Sequence, residues 1–125
     1  MSIVIELSAG EIHLQADLYE NETASAILAA LPLEGSAARW GNEIYFSIPV
    51  HLDPASDARD RMQAGELAYW PPGMAFCIFW GPTPASEGDE PRAASAVNPF
   101  GLIRGDPKDL ASVRDGETMR VTLIG

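Results

Sequence analysis

The chain has 125 residues, with 8 basic and 18 acidic side chains and a formal net charge of −10. That length fits one domain, residues 1–125, with a core that needs neither disulfides nor a structural metal. The charge repels phosphate backbones and anionic surfaces, which excludes nucleic acid and membranes as expected partners. The single cysteine, Cys77, excludes an internal disulfide and suits a reducing cytoplasm. Glu6 interrupts the first apolar stretch and no basic residue precedes it, so a secretory signal is not expected.

Along the chain, Ile3, Ile5 and Leu7 alternate with Val4 and Glu6, and Ile12, Leu14, Ala16 and Leu18 alternate with His13, Gln15 and Asp17. With a turn at Ser8-Ala9-Gly10 between them, these read as a hairpin of half-buried strands. Ala24, Ile27, Leu28 and Leu31 then follow helical spacing. Asn21 or Thr23 is placed to cap that helix and Pro32 to stop it. After a turn at Gly41-Asn42, Ile44, Phe46, Ile48 and Val50 form the apolar side of another strand, with Tyr45 and Ser47 on the opposite side.

The charged stretch 53–63 reads as an exposed loop. Gly65 to Trp70 is a short strand broken by Pro71-Pro72-Gly73. Met74 to Trp80 is a continuous apolar run, the pattern of a strand buried on both faces. Residues 81–98, rich in Pro, Ala, Ser and Gly, read as a long loop. Phe100 to Arg104 is a strand, Asp106-Pro107 opens a short helix reaching Val113, and Met119, Val121 and Leu123 mark a last strand. Many short strands with turn punctuation and few helices predict a mainly β barrel or sandwich.

The run Gly65-Glu66-Leu67-Ala68-Tyr69-Trp70-Pro71-Pro72-Gly73-Met74-Ala75-Phe76-Cys77-Ile78-Phe79-Trp80-Gly81-Pro82-Thr83-Pro84 resembles the signature of small prokaryotic cyclophilin-like proteins, a family of unassigned function. Ser95-Ala96-Val97-Asn98-Pro99-Phe100-Gly101 fits the same family. Phe100-Gly101-Leu102-Ile103-Arg104-Gly105 is similar to a strand of the cyclophilin prolyl isomerases. The resemblance implies a closed antiparallel β-barrel with a short helix at each end. It also implies an outer groove near Trp70. At the groove positions where the isomerases carry arginine and glutamine, this chain has Ser47 and the run Ala75-Phe76-Cys77-Ile78.

Rotation about a prolyl bond faces a barrier of about 18–20 kcal/mol, and a guanidinium aimed at the twisted amide stabilises that state. Serine lacks the charge. Two readings stand. In the leading one the chain is a non-catalytic domain holding a small molecule or short peptide in an apolar groove lined by Tyr45, Ser47, Trp70, Met74 and Phe76. In the other it is a weak prolyl isomerase using a displaced arginine, Arg39 or Arg92, which also serve as candidate ligand contacts. Each of these residues has an ordinary alternative as a solvated strand position, a packing residue or half of a surface ion pair.

No catalytic triad order, phosphate loop or dinucleotide fingerprint occurs. The pair His51-x-Asp53 lacks the spacing of a zinc site, so neither a metal nor a cofactor is expected. Cys77, in an apolar run, reads as an inert core thiol. A homodimer built on Trp40, Trp80 or the 82–98 segment is a further expectation.

Overall fold

The computed structural model describes residues 3–124. Residues 1, 2 and 125, included in the expected domain, lie outside the described residues. In chain order the elements are β1 (Val4–Ala9), β2 (Ile12–Leu18), α1 (Glu22–Ala30), β3 (Leu33–Ser36), β4 (Ala38–Arg39), β5 (Glu43–Ser47), β6 (Arg59–Arg61), β7 (Glu66–Trp70), β8 (Ala75–Phe79), β9 (Arg92–Ile103) and β10 (Thr118–Leu123). A 3-10 turn, Pro71–Gly73, joins β7 to β8, and a 3-10 helix, Pro107–Ser112, precedes β10.

Local chemistry explains the helix ends. The Asn21 side chain accepts a hydrogen bond from the Ala24 N–H (2.8 Å), which satisfies one of the free donors at the start of α1. Asp106 does the same for the Lys108 N–H (2.9 Å), with Pro107 in the first helical position.

The strands form one antiparallel sheet in the order β3-β10-β1-β2-β9-β7-β8-β5-β4, with β6 attached to β9 off this path. Side chains alternate across it. Ile5, Leu7, Ile44, Phe46, Leu67, Tyr69, Phe76, Ile78 and Phe100 face one buried core, to which α1 adds Ala24 and Ile27. Within it Phe76 stacks on Phe46 and meets Phe100 edge-on, each pair with ring centroids 5.0 Å apart. Tyr69 donates its hydroxyl to the Val50 carbonyl (2.6 Å), so its polar tip is satisfied inside that core.

The sheet is not closed by hydrogen bonds. Its path ends at β3 and β4, which are consecutive in the chain and separated by Ala37 alone. This segment pairs with β10 through its first part and with β5 through its second. Side chains rather than a ladder meet at the seam. A Cβ on Gly35 would lie 2.7 Å from the Phe46 ring, so only glycine lets β3 come this close to β5. Neither short strand was anticipated from the sequence, because Leu33-Glu34-Gly35-Ser36 has no alternating pattern.

Two expected loops are corrected. Within residues 53–63, Arg59–Arg61 forms β6, and the latter part of 81–98 belongs to β9, a strand of 12 residues beginning at Arg92. Ala93 to Val97 has little intrinsic strand preference, and tertiary packing decides its conformation. Pro99 is accommodated where the β7–β9 register shifts.

The first half of β9 and β6 cover the outer side of the sheet. Ala68, Ala75, Cys77 and Phe79 point outward from β7 and β8 and pack with Met62, Ala93 and Val97 as a second, smaller core. A buried ion pair pins this layer. Glu66 is fully buried and receives Arg59 Nη1 (3.0 Å), the Gln63 N–H (2.9 Å) and the Tyr19 hydroxyl (2.8 Å). Burial alone would raise the Glu66 pKa, but these donors outweigh it and hold the carboxyl below its ordinary value.

Replacing Arg59 by alanine would leave that carboxylate buried without its counter-charge. We expect Arg59→Ala to destabilise the fold by roughly 3 kcal/mol in urea unfolding near pH 7. The loss should shrink as acid protonates Glu66, because a depressed carboxyl contributes stability only above its folded pKa. An Arg59→Ala variant as stable as the parent at pH 7 would contradict the pinning role.

Candidate functional site

Beside this second core lies a cavity of about 230 Å³, on the outer side of the sheet. Strand β5 contributes Glu43 and Tyr45, the turn before it Trp40, and the end of β7 Trp70. Ala93, Ala94 and Val97 of β9 complete the lining. Alternation explains the set: with Ile44 and Phe46 turned into the main core, Glu43, Tyr45 and Ser47 must face outward. Cys77, paired with Tyr45 across β8, shares that outward side.

Trp70 is held from two directions. Its Nε1–H donates to Ser95 Oγ (2.7 Å), and its ring packs on Gly73, where a Cβ would sit 2.7 Å from Cε3. The Pro71-Pro72-Gly73 turn therefore fixes an indole as well as ending a strand. Met74 follows in the left-handed region at φ 48°. Trp40 is placed by its backbone N–H, which donates to the Glu43 carbonyl (3.0 Å) and tightens the turn into β5.

Glu43 is the unusual member. It is 5% exposed, and no salt bridge reaches it among the described residues. Burial pushes its carboxyl up to about 7, although a hydrogen bond with the Cys77 thiol works in the opposite direction. Burial, and then the neighbouring Glu43, raise Cys77 well above its ordinary value. A thiol in that state is a poor nucleophile at neutral pH. The cavity thus presents aromatic rings, small apolar walls and one carboxyl group that changes charge near neutrality.

Of the residues singled out in the sequence, Tyr45 and Trp70 line this cavity. Ser47 is exposed at the end of β5, opposite Ala75. Met74 is half-buried against the main core, and Phe76 lies wholly within that core.

Neither arginine lines the cavity. The Arg39 guanidinium donates to the carbonyls of Val113 (2.9 Å) and Ala111 (3.1 Å) and lies 5.0 Å from the centre of the Trp80 ring. Arg92 pairs with Glu87 (3.0 Å) and Glu90 (3.3 Å) in the preceding loop. Trp40 and Trp80, expected at an interface, are both half-buried.

Glu43 escaped the sequence reading. Its place two residues before Tyr45 put it on the same side of the strand, and that was the available signal. Its burial depends on cover from β9, about fifty residues away, which no local pattern reveals. Among the described residues there is no group of three or more His, Cys, Asp or Glu that could hold a metal ion. No helix among them is long and apolar enough to cross a membrane.

Comparison with known proteins places these features in context. The family described as cyclophilin-like matches residues 2–122. The solution structure of a hypothetical protein from Archaeoglobus fulgidus is 37% identical, covering 98% of this chain and 95% of that one, with a TM-score of 0.83. No curated protein matches.

Two outcomes follow from these placements. In the unfolded chain Glu43 ionises near its ordinary 4.5, whereas the fold keeps its proton up to about 7. Between those values the unfolded state sheds a proton that the fold retains, so this group lowers stability as pH rises, and above about 7 the penalty is constant. Relative to Glu43→Gln, the parent should therefore lose about 3 kcal/mol between pH 4.5 and pH 8, measured by urea unfolding. A constant difference between the two proteins would refute the buried-acid assignment. Arg39→Ala should cost about 1–2 kcal/mol by freeing the Ala111 and Val113 carbonyls, while leaving the nuclear magnetic resonance signals of Tyr45 and Trp70 in place.

Proposed function

We propose, for a chain that belongs to the cyclophilin-like family, that it is a non-catalytic binding domain for a small molecule held in the outer-face cavity. The observation that carries this reading is the convergence of Trp40, Tyr45 and Trp70 with a single buried carboxyl on one concave site. Small-molecule sites commonly combine apolar and aromatic walls with a few placed polar groups. About 230 Å³ suits a fragment-sized ligand or one peptide side chain better than an extended peptide.

The placement of the cations supports the non-catalytic form. Arg39 is occupied by carbonyls and Trp80 and Arg59 by Glu66, while Arg92 pairs with Glu87 and Glu90 although its buried Nη2 has no hydrogen-bond partner. Among the described residues no guanidinium lines the cavity. A twisted prolyl amide bound there would meet a carboxyl group, which carries no fixed positive charge at any pH and above about 7 has no proton to donate to the developing lone pair on nitrogen.

A nuclear magnetic resonance screen of small metabolites and X-Pro peptides against the full chain tests the proposal. Ligands should move the indole signals of Trp40 and Trp70, and Trp70→Ala, where urea unfolding shows the variant still folded, should weaken their binding by about tenfold or more. Ligands that bind while leaving both indoles unmoved would reject this site. Prolyl exchange above the background rate would reject the non-catalytic form.

A further inference from the structure

We infer that the outer-face cavity recognises a small organic cation, an alkylated ammonium group set against the rings of Trp40, Tyr45 and Trp70 with the Glu43 carboxylate as its counter-charge. This rests on the reading of the cavity as a binding site and names the chemistry of its occupant.

The two buried acids of this sheet make the contrast. Glu66 is fully buried and compensated by Arg59, Tyr19 and Gln63. Glu43 is almost as deep, lines a cavity and has no ion-pair partner among the described residues. A buried ionised carboxylate needs a counter-charge, and a bound cation supplies it.

The rest of the lining selects the kind of cation. Aromatic faces attract positive charge through their quadrupoles, and three such rings surround the site. The Trp70 N–H is already committed to Ser95, so that ring brings no free donor to the site. Ala93, Ala94 and Val97 add apolar side chains that carry no acceptor. A strongly hydrated primary ammonium would find only Glu43 and the Tyr45 hydroxyl as side-chain acceptors here, whereas an N-alkylated one needs none beyond a single anion. The net charge of −10 draws cations toward the protein and repels anions.

The test titrates the full chain with choline, with its uncharged isostere 3,3-dimethylbutan-1-ol and with sodium chloride as a salt control, following tryptophan fluorescence and the indole resonances. Near pH 8 choline should bind at least about tenfold more tightly than the alcohol. Glu43→Gln should bring that ratio near one while the alcohol still binds.

The ratio in the parent protein should also rise from about pH 5.5 to about pH 8 as Glu43 ionises. From β8 the titratable group facing Glu43 is Cys77, which stays a thiol over that range, and β5 itself adds Tyr45. The facing residues of β7 and β9 that line the cavity, Trp70, Ala93, Ala94 and Val97, carry no acid–base group in that range. This pH series needs no variant and stands if Glu43→Gln does not fold. Equal or tighter binding of the alcohol, or a ratio that ignores pH, would overturn the cation while leaving an apolar ligand site. If neither compound moves the indoles beyond the salt control, and the metabolite and peptide screen is also silent at them, the site reading falls too.

Discussion

The Arg59–Glu66 ion pair is the constraint on which the outer half of the molecule depends. One strand of three residues, β6, has little ladder of its own, yet it carries the guanidinium that neutralises a carboxylate with no exposure to water. Breaking such a pair is expensive because the partner left behind stays buried. The pair therefore ties β6 to β7, and through β6 the first half of β9, across the outer side of the sheet. Without that layer Ala68, Cys77 and Phe79 would face solvent, and the cavity would lose the wall made by Ala93, Ala94 and Val97.

The same layer sets the electrostatics of the site. Cover from β9 removes water from Glu43 without supplying a cation, so the carboxyl holds its proton to about 7. Two acids on one sheet are thus driven in opposite directions. Glu66 is held ionised by its donors, while Glu43 is held protonated to about 7 by burial. The indole of Trp70, fixed by Gly73 and Ser95, completes the cavity wall.

Much of the inner architecture was legible in the sequence because it follows local rules. The hairpin from Ile3 to Leu18, the helix capped by Asn21 and the buried run at β8 each carry their own periodicity or cap. Tyr45 and Trp70 were legible for the same reason, through strand alternation and a break at Pro71. What escaped was set by distant partners. Phe76 reads as a groove residue until the pairing with β5 turns it onto Phe46. Arg39 and Arg92 read as candidate ligand contacts or as halves of surface ion pairs until the carbonyls at 111 and 113 and the acids at 87 and 90 are brought to them. Residues 92–97 read as loop because alanine and serine gain strand structure only from what they cover.

The junction at Ala37 has a consequence for how copies of the chain behave in a crowded solution. A sheet that stops at two free margins ordinarily offers unpaired N–H and C=O groups on which a neighbouring molecule can build. Here the two ends of the main strand path belong to one short stretch, residues 33–39, and Gly35 brings the first of them against Phe46 of β5. Little template is left at that seam for intermolecular strand addition, the free edge of β6 is only three residues long, and the net negative charge adds mutual repulsion. Absence of a continuous ladder around the sheet is thereby compatible with resistance to edge-to-edge aggregation.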